Sequence, residues 1–243
     1  MQRSFDPSAP ALRLASASRT GMALKELPLD ERPATLEQAY AIQAAFLQQL
    51  GEGTAGWKLA GASPRGLRGE LPNAPATGLL VPSRVMPSHA AVALPHGRTA
   101  TLEVEIAFCL CGDVAPSEEA FDAASMISHA SLAVEVVCSR FLDRKSVGQP
   151  SFLADNIGFH ALVCGDFVDF AVPAFSEDEA GLWRDDERIA SGLMGSDRTD
   201  PFQSLAFLWN KLRSEGGRVA KGAVVTTGTL TAPVDVTQGR PFR

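Results

Sequence analysis

The stretch Leu102-Glu103-Val104-Glu105-Ile106-Ala107-Phe108-Cys109-Leu110 reads as a buried β-strand that carries two carboxylates. Side chains alternate between the two faces of a strand, so Glu103 and Glu105 share one face while the large apolar residues line the other. Two like charges on one face repel each other and are costly to remove from water unless a proton or a cation neutralises them. A divalent metal ion is the simplest neutraliser.

A third carboxylate, Glu135, interrupts a second apolar run at residues 132–138 (LAVEVVC). Three carboxylates on internal strands form an oxygen-only ligand set, which suits Mg²⁺ or Mn²⁺. The pattern alone leaves an alternative open. Glu103 and Glu105 would then lie on the solvated face of an edge strand, and Glu135 would pair with the nearby Arg140.

Composition limits the class of protein. The 243 residues are 45% hydrophobic and 21% charged, which is ordinary for a globular chain of one large domain or of a domain with an appendage. We divide it into an N-terminal helical segment, residues 1–55, and a β-rich metal-binding catalytic domain, residues 56–243, with one continuous domain as the alternative. The net charge of −6 and the lack of a basic cluster argue against nucleic acid as a partner.

The sequence also predicts a location. No window approaches the roughly 18 apolar residues of a membrane span, and the first residues lack the apolar core of a signal peptide. We therefore expect a cytoplasmic protein without a membrane partner. The four cysteines lie in apolar runs, where reduced thiols behave as small buried hydrophobic groups, so we expect no disulfides.

Local patterns predict the order of the other elements. Thr35 and Gln38 form a capping box for a helix that Gly51 ends. Ser117 is the predicted N-cap of a helix that runs towards residue 127, and Asp200 caps a later one. Strands are predicted at 56–61, 77–81, 158–165 and 223–231, with a hairpin at 182–189. Because the strands arrive in irregular order, we expect an α+β fold with a mixed, mostly antiparallel sheet and peripheral helices.

Six short motifs then occur in one order along most of the chain. They are residues 39–43 (AYAIQ), 56–63 (GWKLAGAS), 103–108 (EVEIAF), 135–140 (EVVCSR), 154–156 (ADN) and 225–231 (VTTGTLT). Together they resemble the fumarylacetoacetate hydrolase superfamily, and within it the branch of 2-hydroxypenta-2,4-dienoate (2-keto-4-pentenoate) hydratase and 4-oxalocrotonate decarboxylase.

The resemblance implies a rolled, fumarylacetoacetase-like sheet, a homo-oligomer, and Mg²⁺ or Mn²⁺ held by Glu103, Glu105 and Glu135. Substrates of this branch are small 2-oxo or 2-hydroxydienoic acids from aromatic-compound catabolism, whose carboxylate and 2-oxygen chelate the metal. A cation on the 2-oxygen stabilises enolate charge, and hydration, C–C cleavage and decarboxylation all use that enolate.

The resemblance also assigns roles outside the metal site. Lys58 matches the G-x-K element and would bind the substrate carboxylate or move protons, although its spacing alone equally describes a surface lysine. Ser63 would bind substrate, or act only in the turn before Pro64. Thr229 would bind substrate, or be an ordinary strand residue. Asp155 would stand behind the site or form an Asx turn.

Three departures from the branch put the particular reaction in question. Ala76 stands where relatives carry an acid, Cys138 replaces an aspartate, and residues 157–160 (IGFH) replace a serine-rich segment. We expect 2-keto-4-pentenoate hydratase-like water addition. The alternatives are decarboxylation of a 2-oxo dioic acid, acylpyruvate-type C–C hydrolysis, and a noncatalytic subunit that binds a partner. A complex with another enzyme of the pathway is a further expectation.

Overall fold

The computed structural model describes residues 5–63, 75–170 and 180–237, and the predicted loop beyond Ser63 lies largely outside these ranges. Its helices are α1 (Ser8–Thr20), α2 (Leu36–Leu50), α3 (Ala123–Met126), α4 (Gln149–Ala154) and α5 (Pro201–Ser214). Its strands are β1 (Gly56–Ala60), β2 (Ala76–Leu80), β3 (Val85–Pro87), β4 (Thr99–Leu110), β5 (Ile127–Val137), β6 (Phe159–Cys164), β7 (Val168–Asp169), β8 (Gly181–Arg184), β9 (Glu187–Ser191), β10 (Val224–Thr226) and β11 (Val234–Thr237).

One mixed sheet forms the centre of the molecule. Its strands run in the order β2-β1-β10-β4-β5-β6-β3, with β11 also paired to β4 and β7 to β5. The pairs β1–β10 and β3–β6 are parallel, and the other pairs of this sheet are antiparallel. β8 and β9 form a separate hairpin. The predicted α+β class with a mixed, mostly antiparallel sheet is confirmed.

Strand β4 decides how the sheet is built. Its neighbours are β10 and β11 along one side and β5 along the other, so it lies in the interior of the sheet. The edge-strand alternative for Glu103 and Glu105 is therefore wrong. Other strands pair with the backbone of β4 on both sides, and side chains cover its faces.

Helix α2 shows why local chemistry specifies part of the fold. The Thr35 side chain accepts a hydrogen bond from the Gln38 N–H at 3.2 Å, and the Gln38 side chain accepts one from the Ala34 N–H at 2.7 Å. This is the predicted capping box, with the Gln38 side chain reaching the residue before the N-cap instead of the N-cap itself. The inner face of α2 packs through Ile42 and Phe46 into a core shared with α1 and the sheet.

The predicted helix from Ser117 is wrong. The only helix in that segment is α3, four residues long, and its N-cap is Asp122, which accepts from the Ala124 N–H at 3.1 Å. Ser117 instead accepts from the Glu119 N–H in a local turn at 3.2 Å, and Trp209 on α5 donates to the Glu119 carbonyl at 3.0 Å. This tertiary hydrogen bond holds the segment in an irregular path.

The four cysteines are free, and burial raises the pKa of the Cys164 thiol to about 11. Within the described ranges, no helix combines the length and the apolarity that a membrane crossing requires.

Candidate metal centre

Glu103, Glu105 and Glu135, hereafter the carboxylate cluster, meet on one face of the sheet. In the antiparallel pairing of β4 and β5, Glu103 lies directly opposite Glu135, and Glu105 lies opposite Ala133. One oxygen atom from each of the three carboxylates lies within 4.8 Å of the others. The strand register therefore assembles the three acids that the sequence predicts.

Two of the four carboxylate oxygens of Glu105 and Glu135 have hydrogen-bond partners. Glu105 Oε2 accepts from the Gly228 N–H at 2.9 Å, and Glu135 Oε1 accepts from Lys58 Nζ. Glu105 Oε1 and Glu135 Oε2 are buried and have no partner among the described residues. A buried polar atom without a partner costs about 1–3 kcal/mol, and a charged one costs more. These two oxygens point to a bound cation.

The electrostatics of the cluster also indicate a bound cation. Burial raises the pKa of Glu103 above its ordinary value, and the charge of Glu135 adds to the effect. Burial also raises the pKa of Glu105, well above its ordinary value, and the charges of Glu135 and Glu103 add to this effect. Lys58 opposes both shifts with a single positive charge. Three ionised carboxylates and one ammonium leave two negative charges, which a divalent cation would balance.

The spacing of the ligands fits such a cation. Oxygens bound at about 2.1 Å to one octahedral ion lie roughly 3–4 Å apart. The 4.8 Å limit within the cluster requires only small side-chain movements to reach that spacing. The residues present therefore suit a hard divalent cation such as Mg²⁺ or Mn²⁺, with Glu103, Glu105 and Glu135 as its protein ligands.

Lys58 lies on β1 and is 1% exposed, so the surface-lysine alternative is wrong. Its ammonium donates to Glu135 and, at 3.2 Å, to the carbonyl of Ile157. The backbone of β2 approaches the lysine stem closely at Gly78, where a Cβ would lie 2.7 Å from Lys58 Cγ. A glycine at this position therefore leaves the room that the lysine needs.

A strained turn presents the Ile157 carbonyl to Lys58. Asn156 and Ile157 have φ values of 54° and 52°, in the left-handed region that a β-branched residue rarely adopts. The Asn156 amide holds the turn against β2, because its Oδ1 accepts from the Leu79 N–H at 2.7 Å and its Nδ2 donates to the Leu79 carbonyl at 2.8 Å. The motif at 154–156 thus supports the lysine rather than facing a substrate.

Arg140 pairs with Asp155, so the alternative in which it pairs with Glu135 is wrong. Asp155 Oδ2 accepts from Ser139 Oγ at 2.7 Å and from the Arg140 N–H at 3.0 Å, while Oδ1 accepts from the Arg140 guanidinium. Burial raises the pKa of Asp155, and the charge of Arg140 opposes that shift. The pair joins the end of β5 to the turn that follows α4.

A cavity of about 900 Å³ lies over the carboxylate cluster, and its wall includes Glu103, Lys58, Ser63, Thr229 and Ala76. Ser63 is half-buried on this wall. The Thr229 hydroxyl donates to the Thr231 carbonyl at 2.9 Å, so it stabilises the local backbone turn. Ala76 is also on the wall, so this chain has no ionisable group at that position.

Sequence reasoning missed two cations of the cavity wall, Arg144 and Lys145. Arg144 Nη2 donates to Thr101 Oγ1 at 3.1 Å, and its guanidinium carbon lies 5.7 Å from the centre of the Phe152 ring. They follow β5 in an irregular segment, where no spacing rule links a side chain to a site on the sheet. The sequence carries no signal that would have found them.

No protein-family model matches the sequence. Among solved structures, the chain is similar to 4-oxalocrotonate decarboxylase from Pseudomonas putida G7, complexed with magnesium and adipate, with a TM-score of 0.81, 20% identity and coverage of 96% of this chain and 90% of that chain. The chain has the fold of this decarboxylase.

Two further solved structures share that fold over a smaller part of the chain. A fumarylacetoacetate hydrolase family protein from Yersinia pestis CO92 has a TM-score of 0.53 and 14% identity, over 73% of this chain and 82% of that one. Fumarylpyruvate hydrolase from Pseudomonas aeruginosa, in complex with Mn²⁺ and pyruvate, has a TM-score of 0.50 and 16% identity, over 73% and 79%. The fold expected from the resemblance, that of the fumarylacetoacetate hydrolase superfamily, is confirmed.

Proposed function

We propose that the chain is a divalent-metal-dependent lyase of small 2-oxo acids, in which Glu103, Glu105 and Glu135 hold Mg²⁺ or Mn²⁺. The observation that carries the proposal is the carboxylate cluster, with its two buried and unpartnered oxygens, at the wall of a cavity large enough for a substrate. The similar decarboxylase is complexed with magnesium and adipate, and the similar hydrolase with Mn²⁺ and pyruvate, which supports both the metal and the acid substrate.

Each part of the site has a chemical task in this proposal. Glu103, Glu105 and Glu135 would hold the cation, which would supply Lewis-acid chemistry for the charge that develops on the substrate. Lys58 adds a second positive charge at the site and is a proton donor within reach of Glu135. The Gly228 N–H fixes the orientation of the Glu105 carboxylate. Ser63, which lies on the cavity wall, would donate a hydrogen bond to the substrate.

Decarboxylation of a six-carbon 2-oxo dioic acid with a 3,4 double bond is the reaction that we propose first. The C5–C6 bond breaks, C6 leaves as CO₂, and its electron pair moves through the conjugated carbons to the 2-oxygen, giving a dienol after proton uptake. The first step needs no acid, so Ala76 does not impede it. The guanidinium of Arg144 on the wall favours a dianionic substrate.

Hydration, the reaction expected first from the sequence, is the second candidate. It requires a proton at C5 of the dienol and a hydroxyl group at C4, and Lys58 is the observation that favours it, since it is a buried ammonium beside the cluster. Acylpyruvate-type hydrolysis needs a base that activates water, and no histidine lies on the described part of the cavity wall. A homo-oligomer, a noncatalytic role beside a partner and a complex with a pathway enzyme stay predictions.

The first test is calorimetric titration of the wild type and of Glu105→Gln with Mg²⁺ and Mn²⁺, followed by oxalate as a mimic of a 2-oxo acid. We expect metal binding by the wild type, a loss of at least about 100-fold in affinity in the variant, roughly 3 kcal/mol, and oxalate binding only to the metal-loaded protein. Absence of metal binding by the folded wild type would contradict the proposal.

The second test separates the two reactions. The metal-loaded protein is incubated with 2-oxo-3-hexenedioate and, separately, with 2-hydroxypenta-2,4-dienoate. Release of CO₂ from the first acid supports decarboxylation, whereas formation of 4-hydroxy-2-oxopentanoate from the second supports hydration. Activity that appears only after addition of a partner enzyme would support the noncatalytic alternative.

A further inference from the structure

We infer that Arg144 selects dioic over monocarboxylic substrates by binding the carboxylate at the far end of the 2-oxo acid. The inference rests on the proposed function, because it takes one end of the substrate to lie at the carboxylate cluster. It adds a specificity-determining residue to the cavity, on a segment that the sequence motifs do not include.

The position of Arg144 follows from its anchor on β4. Thr101 lies two residues before Glu103 and on the same face of the strand, so the two are roughly 7 Å apart along it. Arg144 Nη2 donates to Thr101 Oγ1 at 3.1 Å. The guanidinium is therefore displaced along the cavity wall from the cluster by about the length of two strand residues.

That displacement matches a six-carbon dioic acid. Five C–C bonds of about 1.5 Å in an extended chain separate the two carboxyl carbons by roughly 6 Å. With the 2-oxo end at the cluster, the second carboxylate therefore reaches the neighbourhood of Thr101, where Arg144 is anchored. A shorter acid or one without the second carboxylate would leave the guanidinium unpaired.

Arg144 has donors to spare for a ligand. A guanidinium carries five N–H donors in a planar fork that matches a carboxylate, and the hydrogen bond to Thr101 uses one of them. Among the described residues Arg144 forms no ion pair, unlike Arg140, which Asp155 neutralises. An arginine on a cavity wall with four remaining donors is suited to a bidentate anion.

The guanidinium is also held in place before any ligand arrives. Thr101 Oγ1 donates in turn to Asp235 Oδ1 at 2.6 Å, which fixes the hydroxyl that Arg144 uses. The Phe152 ring lies beneath the guanidinium, with 5.7 Å from the guanidinium carbon to the ring centre. Preorganisation of this kind lowers the entropic cost of binding.

The test compares two acids that differ only in the second carboxylate, 2-oxohexanedioate and 2-oxohexanoate. The first lacks the double bond that decarboxylation requires, so it is a stable binding probe. Calorimetry with the Mg²⁺-loaded wild type should show a preference of about 10- to 100-fold for the dioic acid, the size of a charge-assisted hydrogen bond of roughly 1.5–3 kcal/mol. Arg144→Gln should lower that preference to less than about threefold.

The matched control is Lys145→Gln, which removes the same charge from the next residue of the wall. It should retain most of the preference, because Lys145 is exposed and its ammonium is mobile and well hydrated. Arg144→Lys should retain part of it, and thermal unfolding of each variant verifies folding. Thr101→Val, which keeps the charge and removes its anchor, should reduce the preference by a smaller factor.

Three results would overturn the inference. The first is an unchanged preference in Arg144→Gln. The second is an equal loss of affinity for both acids, which would show that Arg144 acts on the metal end of the substrate. The third is metal binding without affinity for either acid in the wild type, which would overturn the proposed substrate class and the inference with it.

Discussion

Among the residues that the structure describes, two ion pairs are buried, Arg140–Asp155 and Lys58–Glu135, and they differ in how completely their polar atoms are used. Both Asp155 oxygens are hydrogen-bonded, by Arg140 and by the Ser139 hydroxyl. The remaining guanidinium groups donate to the backbone carbonyls of Asp155 and Phe159. Each nitrogen of the Arg140 guanidinium and each carboxylate oxygen of Asp155 therefore has a partner within the protein.

The second pair is incomplete in the same terms. Glu135 keeps one buried oxygen without a partner among the described residues, and Glu105 beside it keeps another. One ammonium faces three carboxylates, and burial, followed by repulsion from Glu135 and Glu103, raises the pKa of Glu105 well above its usual range. Burial of charge alone therefore does not identify a functional site. Buried polar atoms without partners do identify such a site, because they cost stability unless a ligand binds to them.

The largest expected effect concerns the Arg140–Asp155 pair, to which we assign a role in stability and none in metal binding. Asp155→Ala leaves Arg140 buried without its partner and should lower the free energy of unfolding by about 3–5 kcal/mol. Chemical denaturation measures this, and calorimetry on the folded fraction should still show wild-type affinity for Mg²⁺. The control is Asp169→Ala, which removes the fully exposed partner of His129 and should leave stability unchanged. A loss of metal affinity in folded Asp155→Ala would break the distinction between the two pairs.

Glu105→Gln should have the opposite signature. The amide oxygen still accepts from the Gly228 N–H, while one of three repelling charges is removed, so the metal-free variant should unfold at the same temperature as the wild type or higher at neutral pH. Thermal unfolding without and with Mg²⁺ measures both terms. The wild type should gain more stability from the metal, by linkage to its tighter binding. A metal-free variant that is clearly less stable than the wild type would contradict the repulsion that we assign to the three carboxylates.

Gly78→Ala tests whether the position of Lys58 matters apart from its charge. The new Cβ would meet Lys58 Cγ at 2.7 Å and move the ammonium away from Glu135. We expect a decrease in kcat of about tenfold, roughly 1.4 kcal/mol, with Mg²⁺ affinity changed much less. Gly53→Ala, at an exposed glycine with open space around it, is the matched control. Equal losses of kcat and metal affinity would argue for a general disturbance of the site.

The smallest effect is a dependence of stability on pH. Because Glu103 and Glu105 have raised pKa values, the folded metal-free protein holds more protons than the unfolded chain above the ordinary value of 4.5. Its melting temperature should therefore fall by a few degrees as the pH rises from about 5 towards neutrality, and Mg²⁺ should remove the decrease. Glu105→Gln should show a shallower decrease. An equal change in the wild type and in Glu105→Gln would refute the sign, because His160, whose pKa burial lowers, contributes the same opposite slope to both proteins.

Much of the local structure could be predicted from the sequence. Alternation placed Glu103 and Glu105 on one face of a strand, and β4 confirms both the strand and the shared face. The capping box specified the start of α2, and Asp200 that of α5, where it accepts from the Phe202 N–H at 2.9 Å. These features depend on residues close together in the chain. The predicted helix at Ser117 failed because a contact with Trp209, far along the chain, outweighed the local signal.

The sequence by itself determined which carboxylates face the same way, because strand geometry fixes the direction of each side chain. Only the tertiary structure decided what they meet. Strand register places Glu135 opposite Glu103, and Lys58 reaches Glu135 from a strand three places away, a distance of about 14 Å across a flat sheet. Curling of the sheet closes that gap, and an irregular segment after β5 brings Arg144 to the same cavity. Such contacts depend on backbone paths between distant residues, which the pattern of a single strand does not encode.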